Sequence, residues 1–170
     1  MFIFIGTDKI KKMKRTSRFT SLIFLQLFFC MAVFGQATNK NYDSVLAKKL
    51  GADEYGMKQY ILVILKSGSN TMTDKAVHDS LFREHLANIG RLADHGDLVV
   101  AGPFGKNNNN YRGIFILNVQ TVEDAKKLLE TDPAVKAKLL EPDLYTWYGS
   151  AAIGETLNIH KKIEKTSLTH

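Results

Sequence analysis

His85 is the residue in this 170-residue chain whose surroundings most clearly allow chemistry. Between Thr73 and Gly96 a projection at about 100° per residue puts Leu81, Phe82, Leu86, Ile89, Leu92 and Ala93 on one arc, with His85 inside it. An imidazole, with an unperturbed pKa of about 6.5, passes protons in either direction at neutral pH, which suits general acid/base work. On an apolar face it serves equally as a core residue whose ring nitrogens find backbone partners. Asp132, directly before Pro133, reads first as a helix N-cap, and a capping carboxylate has a second oxygen to offer an imidazole. His78 lies on the same arc two turns before His85. That spacing, about 10.5 Å, is too long for an easy pair of ligands on one metal, so neither a metal site nor a cofactor is expected. No other acid or base, nucleophile or cofactor fingerprint is evident.

The elements that must position these residues follow from periodicity and punctuation. Tyr42–Leu50 is a short amphipathic segment closed by Gly51. The run Gln59–Leu65, rich in β-branched and aromatic residues, reads as a central strand. The His85 helix follows, with Thr71 or Thr73 as cap and Asp74 in its first turn, and ends at His95–Gly96. Leu98–Ala101 is a second strand broken by Gly102-Pro103, and Tyr111–Leu117 a third. Asn107–Asn110, between them, has no apolar face and reads as a solvated loop. Thr121 starts a helix whose apolar positions are Val122, Ala125, Leu128 and Leu129. Asp132-Pro133 stops it and caps a further short helix through Leu140, and Leu144–Tyr148 is the last strand. The order strand, helix, strand, strand, helix, strand predicts an α+β, ferredoxin-like split βαβ sandwich of the dimeric α+β barrel type. Its antiparallel four-stranded sheet carries both main helices on one face. Antiparallel helices bring Asp132, after the second, beside the beginning of the first, within reach of His85. The face without helices, carrying Tyr60, Phe115 or their neighbours, predicts a homodimer.

The formal charge of +6 is local. Residues 1–35 contain six bases and one acid, which leaves +1 for the rest and no electrostatic case for nucleic acid. Those residues read as a secretory signal: a basic stretch, the apolar run Leu22–Phe34, and a small residue at Gly35, after which cleavage is expected. The run is too short to cross a bilayer, so no membrane anchor remains after cleavage and the protein is expected to be exported, periplasmic or secreted. Met13 opens an ordinary signal and competes with Met1 as the start. Cys30, the one cysteine, leaves with the signal, which removes disulfide and thiolate chemistry. The remaining chain divides into a linker with a short helix (36–56), one domain (57–149) and a C-terminal extension (150–170). The lysines of that extension, Lys161, Lys162 and Lys165, read as solvated.

From Met57 to Gly149 the chain resembles the YCII-related (YciI-like) domain family. The residues carrying the resemblance are Arg83-Glu84-His85-Leu86, Gly96-Asp97-Leu98-Val99-Val100-Ala101-Gly102-Pro103, Glu123-Asp124-Ala125, Asp132-Pro133 and Tyr145-Thr146-Trp147. The resemblance implies a small dimeric α+β protein. It also implies a catalytic centre of His85 and Asp132 in a cleft, with Arg83, Gly102 and Pro103 as substrate-binding positions, and acid/base chemistry of the lyase or isomerase kind on a small polar organic molecule. The alternative is a non-catalytic ligand-binding or assembly module that keeps His85 for packing. The export signal, the asparagine tract and the C-terminal extension depart from the family pattern.

Overall fold

A computed structural model describes residues 39–167. The expected signal segment and its cleavage after Gly35 lie outside the described residues. All elements named below belong to the unit that begins at Asp43. Helix α1 (Ser44–Leu50) is capped by the Asp43 carboxylate and closed by Gly51, whose φ of 70° suits a residue without a side chain. Strand β1 spans Met57–Ser67. Helix α2 (Lys75–His95) is capped by Asp74, not by either threonine. The carboxylate accepts from the N–H groups of Ala76 and Val77, and as an anion it also answers the positive end of the helix dipole. Gly96, at φ 81°, ends the helix as expected.

Strand β2 (Leu98–Pro103) does not break at Gly102 but continues to Pro103. It is an edge strand, and a proline at its end removes no hydrogen bond from the ladder. Strand β3 is Tyr111–Leu117. The asparagine tract between them is exposed, and Asn107 organises it by accepting from the N–H groups of Asn109 and Tyr111. Helix α3 (Val122–Leu129) starts at the Thr121 cap. Helix α4 (Pro133–Lys136), capped by Asp132, is shorter than expected because Lys138 adopts a left-handed φ of 56° and turns the chain. Strand β4 therefore begins early and spans Leu140–Ser150. A 3₁₀ turn (Ala151–Glu155) and helix α5 (Thr156–Ile163) follow where a solvated tail was expected.

The sheet order is β2-β3-β1-β4, with every pairing antiparallel. This is the expected α+β, ferredoxin-like arrangement. Ile61, Val63 and Leu65 of β1 face the helices together with Phe115 and Leu117 of β3. They form the main core with Leu92 of α2 and Leu129 of α3. Phe115 thus lies on the covered face, a correction to the sequence reading. It pairs with Val63, so the two-residue period of a strand puts it opposite in sense to Tyr60. Tyr60 does lie on the other face, but it is fully buried. Trp147 packs on its ring at 5.9 Å, and its hydroxyl donates to the Ser150 carbonyl at 3.2 Å. Ile153 of the 3₁₀ turn completes this second, smaller cluster with Val99 and Ile116. Farther along the same face Leu62, Ile64 and Ile114 are half-buried and Tyr145 is exposed.

Candidate active site

His85 sits mid-way along α2 and is only 7% exposed, and Asp132, in the link between α3 and α4, is 1% exposed. Their side chains meet at 2.6 Å between Nδ1 and Oδ2. The other carboxylate oxygen, Oδ1, caps α4 by accepting from the N–H groups of Ala134 at 2.9 Å and Val135 at 3.3 Å. Capping and imidazole contact therefore coexist, one oxygen each. Asp132 meets the middle of α2 instead of its beginning, because His85 lies about 15 Å along the helix from Lys75.

The geometry sets the tautomer. A carboxylate only accepts, so Nδ1–H donates to Asp132, and in the neutral ring the lone pair is on Nε2. Nε2 makes no protein hydrogen bond among the described residues. Phe115 stacks on the imidazole at 6.0 Å and Phe82 meets it edge-on at 5.9 Å, which fixes the ring plane. The Asp132 side is anchored through Thr131. Arg91 of α2 donates to Thr131 Oγ1 at 2.7 Å and to Asn88 Oδ1, so the residue before Asp132 is tied to the helix that carries His85. Asn88 is buried, and its Nδ2 has no partner among the described residues.

His85 lines a cavity of about 550 Å³. Its floor is the edge of the sheet: Leu98, Ala101, Gly102 and Pro103 of β2, with Gly113 and Phe115 of β3. Gly113 has to be a glycine, since a Cβ there would come within 2.8 Å of the Gly102 carbonyl oxygen. One wall is α2, through Phe82, His85, Leu86 and Ile89. Gly102 and Pro103, two of the three expected binding positions, are part of this lining. Arg83, the third, is exposed and absent from the lining, because two residues along a helix rotate it by about 200° from His85. The lining is mostly apolar.

A second wall was missed in the sequence. Helix α5 packs against β2 and presents Leu157, His160 and Lys161 to the cavity, with Glu164 at its C-cap. Lys161 is not simply solvated, since its Nζ pairs with Asp94 of α2 at 2.9 Å. Lys49 of α1 pairs with Glu155 at 2.9 Å and holds the root of the helix. His160 Nε2 lies 3.6 Å from Glu164 Oε2, so a second histidine–carboxylate pair borders the cavity. The signal was present: positions 157, 160, 161 and 164 keep the spacing of one helical face. Near this root, the exposed Tyr148 of β4 donates to Asp53. That bond holds the Asp53 carboxyl below its ordinary range and pushes the Tyr148 hydroxyl up to about 12.

His78 packs against Phe82 at 4.7 Å, and among the described residues no three histidine, cysteine, aspartate or glutamate side chains gather as they would around a metal ion. Of the C-terminal aromatics only Trp147 packs in the sheet, since Tyr145 and Tyr148 are half exposed.

No family model matches the chain, and no curated protein matches it. Among solved structures it is similar to the 5-chloro-2-hydroxyhydroquinone dehydrochlorinase of Burkholderia phenoliruptrix AC1100, in complex with 2,5-dihydroxybenzoquinone. The similarity covers 51% of this chain and 92% of that one at 20% identity, with a TM-score of 0.37.

Proposed function

We propose that the protein is an acid/base enzyme of the lyase or isomerase kind, acting on a small organic molecule with an apolar body and one activated C–H bond. His85 Nε2 is the base and Asp132 the residue that orients it. The observation that carries this reading is the 2.6 Å bond from Nδ1 to a buried carboxylate, made at the edge of a cavity while the second ring nitrogen has no protein partner among the described residues. A histidine kept only for packing would have both nitrogens engaged or sealed. The mostly apolar lining favours a less polar substrate than the sequence alone suggested. Gly102 and Pro103 would lie beneath it.

Proton abstraction is read without knowing the natural substrate. The full-length mature chain in D₂O, given small cyclic ketones such as cyclohexanone, should place deuterium at the carbon beside the carbonyl, followed by NMR. His85→Gln should slow the exchange by roughly 100-fold or more. Asp132→Asn should be nearly as damaging. The capping N–H groups claim its one amide oxygen, so the amide NH₂ faces His85 and drives the ring proton onto Nε2, removing the lone pair. Exchange that survives His85→Gln unchanged would sink the assignment and favour a binding module.

Two further expectations belong to this reading. The half-buried Leu62, Ile64 and Ile114 with exposed Tyr145 form the face on which a second copy would pack, and light scattering at low micromolar concentration should give twice the chain mass. Export through the basic and apolar leader predicts a mature protein that begins at Gln36 and so lacks Cys30, as read by mass spectrometry; a chain that retains a lipid-bearing Cys30 would overturn this.

A further inference from the structure

We infer that His160, on the C-terminal helix, is the second proton-transferring group of the cavity and supplies a proton at the end of the ligand remote from His85; this rests on the reading of His85 as base. The two histidines stand on different elements, α2 and α5, yet both line the same cavity of about 550 Å³, whose remaining lining is mostly apolar. Each has a carboxylate beside it, Asp132 at 2.6 Å and Glu164 at 3.6 Å. Their exposures differ in the sense that divided labour requires. The His85 side chain is 9% exposed and held by a buried partner, whereas that of His160 is 58% exposed and can be reprotonated from water. Lys161, the neighbouring base on α5, is paired with Asp94 at 2.9 Å, which leaves the imidazole of His160 as the proton-carrying base of that wall.

The chemistry balances with two such groups. His85 Nε2 takes the proton from carbon, and the C–H electron pair becomes a new C=C bond. The pair displaced at the far end, whether the π pair of a carbonyl moving onto oxygen or the σ pair of a departing group, takes the proton carried by His160. His85 ends protonated and His160 neutral, and exchange with water through the exposed His160 side restores both. The ligand class is therefore an apolar ring or short chain with a polar atom at each end: one bearing or adjoining an acidic proton, the other able to accept one.

The test uses the full mature chain and 4-nitrophenol, an apolar ring with an acidic hydroxyl at one end and an accepting nitro group at the other. Nuclear Overhauser contacts from its ring protons to the imidazole protons of both His85 and His160 are expected. At a pH where the free probe is protonated, bound probe should absorb as phenolate in the wild type and in His160→Gln, and as phenol in His85→Gln. His160→Gln should weaken binding roughly three- to tenfold, the worth of one hydrogen bond. Lys161→Ala, which frees the helix and leaves both histidines intact, should weaken binding too and reduce the His160 contacts. Contacts to His85 alone, with affinity unchanged in His160→Gln, overturn this inference and leave the reading of His85 standing. Phenolate that persists in His85→Gln but vanishes in His160→Gln exchanges the two roles and overturns it as well. Contact with neither ring overturns both.

Discussion

Two walls of one cavity each carry a histidine and a carboxylate, and they are held by different physics. The α2 wall is part of the core. His85 lies between Phe82 and Phe115, Leu92 is buried two turns later, and Asp132 is fixed by its cap and by Thr131. The α5 wall rests on β2 through an amphipathic face and is tethered by two ion pairs between substantially exposed side chains, Lys161–Asp94 and Lys49–Glu155. Its outer side leaves Ile159 and Ile163 exposed. Core burial gives position at a large energetic stake, while exposed ion pairs give position that can be released cheaply. The wall that orients the base is thus the rigid one, and the wall that meets solvent is the adjustable one.

The largest effect should come from the core-held wall. Phe115→Ala removes the ring stacked on His85 and leaves a void in the main core, so it should cost about 3–5 kcal/mol in chemical denaturation. Next comes Asp132→Ala, which loses an N-cap and leaves His85 Nδ1 without its partner. A loss of about 2–4 kcal/mol is expected. Asp132→Asn should recover much of the stability by restoring the cap but not the exchange activity, a split that a purely structural aspartate would not give.

The tethered wall should respond in the opposite way. Lys161→Ala should change global stability by less than about 1 kcal/mol, as for an exposed ion pair. Hydrogen exchange along α5 should nonetheless accelerate while α2 is unaffected, because a local tether limits local opening. If α2 and α5 lose protection together, the two walls are one cooperative unit and the contrast fails.

The smallest effect concerns Tyr148 and Asp53, near the root of α5. The raised Tyr148 pKa contributes stability that is fully present below the unfolded tyrosine value of about 10 and lost as pH rises through about 12. The lowered Asp53 pKa contributes stability present above the ordinary carboxylate range and lost as pH falls through its depressed value. Tyr148→Phe should lower the unfolding midpoint slightly across the neutral region, where both contributions are present, and so flatten both limbs against pH, the effect being small because the pair is exposed.

Strand and helix identities were legible in the sequence because they depend on local period and punctuation. β3 was read at its observed bounds, and Gly96, Thr121 and Asp132 cap helices as their types dictate. The ends that moved did so for tertiary reasons: Pro103 stays in a strand because that strand is an edge, and β4 starts early because Lys138 turns the chain against it. Phe115 went to the other face because strand parity is fixed only once a partner sets the register.

An imidazole on an apolar helix face and an aspartate capping a helix before Pro133 both follow from residues a few positions apart. Folding is what brings these two, 47 residues apart, to 2.6 Å, turns Arg83 away, and carries His160 and Glu164, from beyond the expected domain, to the same cavity. Period and capping are properties of neighbouring residues. A cavity wall is a property of which surfaces the core and the ion pairs bring together, and no local spacing encodes that.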